Sequence, residues 1–75
     1  MVIDKVRSIL TDIFEVEEFT ITAETSLEID LGADFEDMVE LSMIIEEEFD
    51  ILMDDDDFEE IITVGDLVEY IQSKK

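Results

Sequence analysis

The sequence predicts a small all-α fold: a four-helix bundle with a long first loop and a short third helix, formed by one domain over residues 1–75. Three observations carry that expectation. Apolar residues recur at helical spacing in separate segments, and an oxygen-bearing side chain followed three residues later by Asp stands before two of them. The length suits one domain, and 47% hydrophobic residues is too many for a disordered acidic tail. A chain this short buries only about 60% of the surface its unfolded form exposes. With no Cys, neither a disulfide nor a thiolate metal site reinforces the core.

The first helix is read from Ile3, Val6, Leu10 and Ile13, with Val2, Ile9 and Phe14 widening the apolar stripe. Asp4 suits the positive end of its dipole. Over residues 15–34 the periodicity fails. Thr20, Thr22, Thr25 and Ser26 favour non-helical backbone bonding, and Gly32 punctuates the end. Phe19, Ile21, Leu27, Ile29 and Leu31 are expected to anchor this long connection across the helices.

Asp34 is the expected N-cap of the second helix, with Asp37 closing a capping box. Met38, Leu41, Ile45 and Phe49 form its apolar stripe, flanked by Val39 and Ile44, and Glu36, Glu40, Glu47 and Glu48 fall largely on the other side. Asp54, Asp55, Asp56 and Asp57 read as a solvated turn opening a short third helix that carries Phe58 and Ile61, with Ile62 a further candidate. Thr63 with Asp66 caps a fourth helix buried through Val64, Leu67, Val68 and Ile71, and Lys74 and Lys75 complement its C-terminal dipole.

Charge narrows the function classes. Twenty-four Asp and Glu face four Lys and Arg, a formal net charge of −20. No basic residue lies between Arg7 and Lys74. Such a surface repels nucleic acid and anionic membranes and attracts a partner with a basic patch. No apolar run approaches the ~20 residues of a membrane span, and no signal-peptide pattern opens the sequence, so the expected compartment is the cytoplasm. Absence of His and Cys removes most metal sites and nucleophilic pairs, and no glycine-rich phosphate loop is present. Against an EF-hand loop starting at Asp55, residues Asp57 and Glu59 fit but Glu60 occupies the place of the sharp-turn Gly. Loose divalent-cation binding at Asp54, Asp55, Asp56 and Asp57, relieving repulsion, fits the run better. The chain is not expected to be an enzyme.

The segment Leu31-Gly32-Ala33-Asp34-Phe35-Glu36-Asp37-Met38-Val39-Glu40-Leu41 resembles the signature of the acyl carrier protein family, in which Leu-Gly-Ala-Asp-Ser-Leu-Asp precedes Glu-Leu. The likeness continues through Glu46-Glu47-Glu48-Phe49, Thr63-Val64-Gly65-Asp66 and Tyr70-Ile71. It implies a four-helix domain of fatty-acid or related lipid or polyketide biosynthesis, a monomer docking to basic-patch enzymes of acyl-chain synthesis or transfer. By the same resemblance, partners read Asp34, Glu36, Asp37, Glu40, Glu46 and Glu47, with Met43 and Met53 as apolar contacts.

The departure lies at the centre of the motif. The family carries 4′-phosphopantetheine on the Ser after the Asp, and Phe35 stands there; the following Leu is Glu36. A phenyl ring has no hydroxyl to form the phosphodiester. The remaining serines, Ser8, Ser26, Ser42 and Ser73, lack the Asp-Ser-Leu setting. The expectation is therefore no cofactor, no catalytic residue and an acidic docking module that carries no acyl group. Two other readings stand beside it: an engineered or variant form of an ordinary carrier whose parent bears 4′-phosphopantetheine, and a stand-alone acidic domain for divalent cations or protein partners. The Phe35 ring has two expected fates, projecting into solvent or folding over Met38, Leu27 and Ile29.

Overall fold

In the computed structural model, residues 2–74 are described, apart from the side chain of Asp55. The elements are α1 (Val2–Phe14), a 3-10 turn (Glu18–Thr20), α2 (Phe35–Phe49), α3 (Asp55–Glu59) and α4 (Val64–Lys74). The four helices and the short third one match the expectation. Val6 and Leu10 of α1 are fully buried, as are Leu41 and Ile45 of α2 and Val64, Leu67 and Ile71 of α4. Helix α1 packs against both α2 and α4 and so forms the centre of the bundle. Ile3, Ile13, Met38 and Val68, expected in the stripes, are half-buried at the margins.

Backbone bonds and buried side chains together hold the connection over residues 15–34. Leu27 donates its N–H to the Ile62 carbonyl at 3.0 Å, and Val64 donates to Thr25 at 2.9 Å. Ser26 and Thr63 form an isolated antiparallel bridge. Gly65 donates to the Ala23 carbonyl at 2.8 Å. The loop is thus zipped to the turn between α3 and α4, which satisfies its polar groups without regular structure. Ile21 and Leu27 are buried anchors, as expected, and Leu31 is half-buried. Phe19 and Ile29 are not: they are 80% and 84% exposed. Ile29 sits in a turn closed by polar bonds, its N–H on the Ser26 hydroxyl at 3.1 Å and the Ser26 N–H on Asp30 at 2.7 Å, so its side chain is not needed inside. At Phe19, the 3-10 turn sends Ile21 inward instead.

Helix α2 begins with the expected capping box. Asp34 accepts the Asp37 N–H at 2.8 Å, and Asp37 accepts the Asp34 N–H at 3.2 Å. Asp50 ends the helix in the left-handed region, at φ 54°. Asp54 precedes α3 without a side-chain cap bond. Ile61 is buried just after α3, whereas Ile62 is 62% exposed: it gives its carbonyl to Leu27 and its N–H to Asp66, and the side chain turns outward. Thr63 and Asp66 cap α4 reciprocally, each bond 3.1 Å long. Lys74 lies in the last turn of α4, and Lys75 lies outside the described residues. The folded chain exposes 4999 Å². An extended chain of this mass exposes roughly 12,600 Å², so about 60% is buried, the fraction that leaves a small domain marginal.

Candidate functional site on the second helix

Helix α2 buries Leu41, Ile45 and Phe49, and turns two other surfaces to solvent. Phe35, Val39 and Met43 stand four residues apart, exposed by 82%, 41% and 61%, and wind away from the core side. Beyond them runs a ridge of Glu36, Glu40 and Glu47, all exposed. The spacing explains the arrangement: each four-residue step turns about 40° further round the helix, so Phe35, Val39 and Met43 wind about 80° across the exposed surface, while Glu36, Glu40 and Glu47 fall within about 40° of one another. No Lys or Arg lies on α2. Lys5 of α1 bonds Glu48 at 3.3 Å, and its ammonium stands 5.9 Å from the centre of the Phe49 ring. That contact lies on the flank of α2 facing α1.

The eight side chains expected to meet a partner are not equivalent. Glu36, Glu40, Glu47 and Met43 are exposed. Asp34 and Asp37 are engaged in the capping box, which orients them at the helix start. Glu46 is half-buried and accepts the Met53 N–H at 2.9 Å, so this carboxylate fixes the α2–α3 connection. Met53 is half-buried against the core. Val39 was expected only as a flank of the core; its place between Phe35 and Met43 was visible in the four-residue spacing.

Phe35 takes the first of its two expected fates. Its ring projects from the first position of α2 and does not close over Met38. Nearby, Leu27, Glu28, Ala33, Met38, Glu59, Ile61 and Ile62 line a cavity of about 110 Å³. That is below the roughly 300 Å³ at which small-molecule pockets begin. Of the hydroxyls, Ser42 donates to the Val39 carbonyl at 2.8 Å, and Ser26 accepts from Ile29 within its turn.

The aspartate run behaves partly as helix-start chemistry. Residues Asp55–Glu59 are helical rather than looped, and Asp57 accepts the Tyr70 hydroxyl at 3.1 Å, tying α3 to α4. Among the described residues, no three carboxylates gather in a way that would hold a metal ion. Asp66, the twelfth position of the rejected EF-hand, accepts N–H bonds from Thr63 and Ile62, and these hold its pKa below the usual Asp value. Among the described residues, no helix is long and apolar enough to cross a membrane.

Comparisons with known proteins place this small helical bundle with its acidic second helix. The family profile described as "Phosphopantetheine attachment site" matches residues 4–71. An acyl carrier protein of Thermotoga maritima is 47% identical over 73 residues, covering 97% of this chain and 90% of that protein. Among solved structures, that of the acyl carrier protein from Enterococcus faecalis, described for its high thermal stability, superposes with a TM-score of 0.86. It shares 35% identity and covers 99% of this chain and 94% of its own. The chain belongs to the acyl carrier protein family. Members of that family are carriers, not enzymes.

Proposed function

We propose that this chain is an acyl-carrier-type docking module of fatty-acid or related biosynthesis that carries no acyl group itself. The observation that supports the reading is Phe35: a residue without a hydroxyl follows Asp34 at the start of α2, where the family signature has its acceptor Ser. Ser42 and Ser26 are occupied with local backbone and lie in other settings. The group expected from the family therefore does not fit the side chain at position 35. Docking is supported by Asp34, Glu36, Asp37, Glu40 and Glu47 on α2, with Met43 beside them and Glu46 and Met53 holding the adjacent loop. A partner with a basic patch would be drawn to this helix over a Debye length. The proposed setting is a monomer in the cytoplasm. Asp54, Asp55, Asp56 and Asp57 attract divalent cations loosely, as counter-charge.

Intact mass after incubation with coenzyme A and a phosphopantetheinyl transferase tests the reading. The expected result is an unchanged mass. An increase by one phosphopantetheine group, on any residue, overturns it.

A further inference from the structure

Phe35 stands in water at 82% exposure, on a helix start whose backbone is fixed by the Asp34–Asp37 capping box. Phe19 and Leu52 are as exposed, at 80% and 81%. They sit in connections, however, whereas Phe35 heads the line that Val39 and Met43 continue. The stripe is about 12 Å long, given the rise of an α-helix. The ridge of Glu36, Glu40 and Glu47 runs beside it, with no basic residue on the helix. An aromatic side chain on a rigid backbone has few torsions to freeze, so it gives contact area at low ordering cost.

We propose that Phe35 is the aromatic anchor by which this chain holds a basic protein partner. The ring packs on an apolar strip whose borders present Lys or Arg to Glu36, Glu40 and Glu47, and Val39 and Met43 extend the contact. This rests on the docking reading above and names the residue on which affinity turns. Charge complementarity selects the occupant: an apolar strip alone would suit many surfaces, but the glutamate ridge favours one with cationic borders. A second copy of this chain would set one ridge against another with a net charge of −20 on each, so self-association is disfavoured. A domain that docks through its own side chain needs no attached group to stay bound.

The test titrates a cationic amphipathic helical peptide, Leu along one face with Lys on both borders of that face, into the full chain at low salt. Phe35→Ala is expected to weaken binding about tenfold or more, the loss that truncation of a binding hot spot gives. Phe19→Ala and Leu52→Ala are expected to change it by less than about twofold, as peripheral contacts do. The triple variant Glu36→Gln, Glu40→Gln, Glu47→Gln is expected to weaken binding and flatten its salt dependence. If the triple variant weakens binding but Phe35→Ala does no more than Phe19→Ala, the anchor is overturned and the docking face stands. If the triple variant binds as tightly as the parent, or the parent does not bind, the docking face itself is overturned.

Discussion

Removing the Phe35 ring should leave the fold almost as stable as before. Fully burying a Phe side chain stabilises by about 1.5–3 kcal/mol. With 82% of Phe35 exposed, less than a fifth of that area is withdrawn from water, so the ring contributes roughly 0.3–0.5 kcal/mol. Ala gains back a few tenths through its better helix propensity. Phe35→Ala is therefore expected to stay within about 0.5 kcal/mol of the parent, as surface substitutions do. Phe49, on the same helix, is only 5% exposed and is packed in the core cluster with Leu10 and Ile45. Phe49→Ala should cost about 3–5 kcal/mol. That approaches the whole stability of a 75-residue domain, roughly 4–11 kcal/mol. Phe49→Leu, costing about 1–2 kcal/mol, gives a folded comparison. Urea titrations of the parent, Phe35→Ala and Phe49→Leu supply the midpoints. A loss above about 1 kcal/mol for Phe35→Ala would show the ring folded back over Met38 and Leu27, closing the cavity, and would refute the exposed geometry.

Three other perturbations follow from the same contacts. The depressed pKa of Asp66 means that folding favours its ionised form. Its stabilisation is complete above the unfolded value of about 3.9 and is lost as pH falls through the folded value. Asp66→Asn should thus destabilise at pH 7, with a penalty that shrinks as pH falls below the unfolded value; a penalty that stays constant across urea titrations at falling pH would contradict it. Gly65→Ala would set a Cβ 2.9 Å from the Ala23 carbonyl oxygen, which already accepts the Gly65 N–H. A loss of about 1–3 kcal/mol is expected from such overpacking, and a raised melting temperature would refute it. Calcium or magnesium at millimolar concentration should raise the melting midpoint, since the net charge of −20 makes the compact state self-repelling. A hundredfold excess over Kd adds about 2.7 kcal/mol, and an unchanged midpoint would show the charges already accommodated.

What the sequence disclosed, and what it hid, divides along physical lines. Helices α1, α2 and α4 were legible because each has an apolar stripe at helical spacing, and two carry reciprocal Asp caps whose bonds are present in the structure. The connection was harder. Its apolar residues suggested five anchors, yet only Ile21 and Leu27 are fully buried, backbone bonds to Ile62, Val64 and Gly65 help to hold it, and Phe19 and Ile29 are left outside. Such pairing between distant segments leaves no periodic trace. At the site, Glu36, Glu40 and Glu47 were legible as one exposed ridge, while the tie from Glu46 to the Met53 N–H was not, because it depends on how the α2–α3 connection turns back. Residue type revealed the missing hydroxyl of Phe35, but only the helix start could show which way its ring points.

We propose that this carrier fold keeps its docking helix while Phe35 blocks attachment. The most direct measurement sets the parent chain beside the Phe35→Ser, Glu36→Leu variant, each incubated with coenzyme A and a phosphopantetheinyl transferase and weighed intact. The parent mass is expected to stay unchanged and the double variant to gain one phosphopantetheine group. Modification of the parent would contradict the loss of attachment, and an unmodified double variant would contradict the retained docking surface.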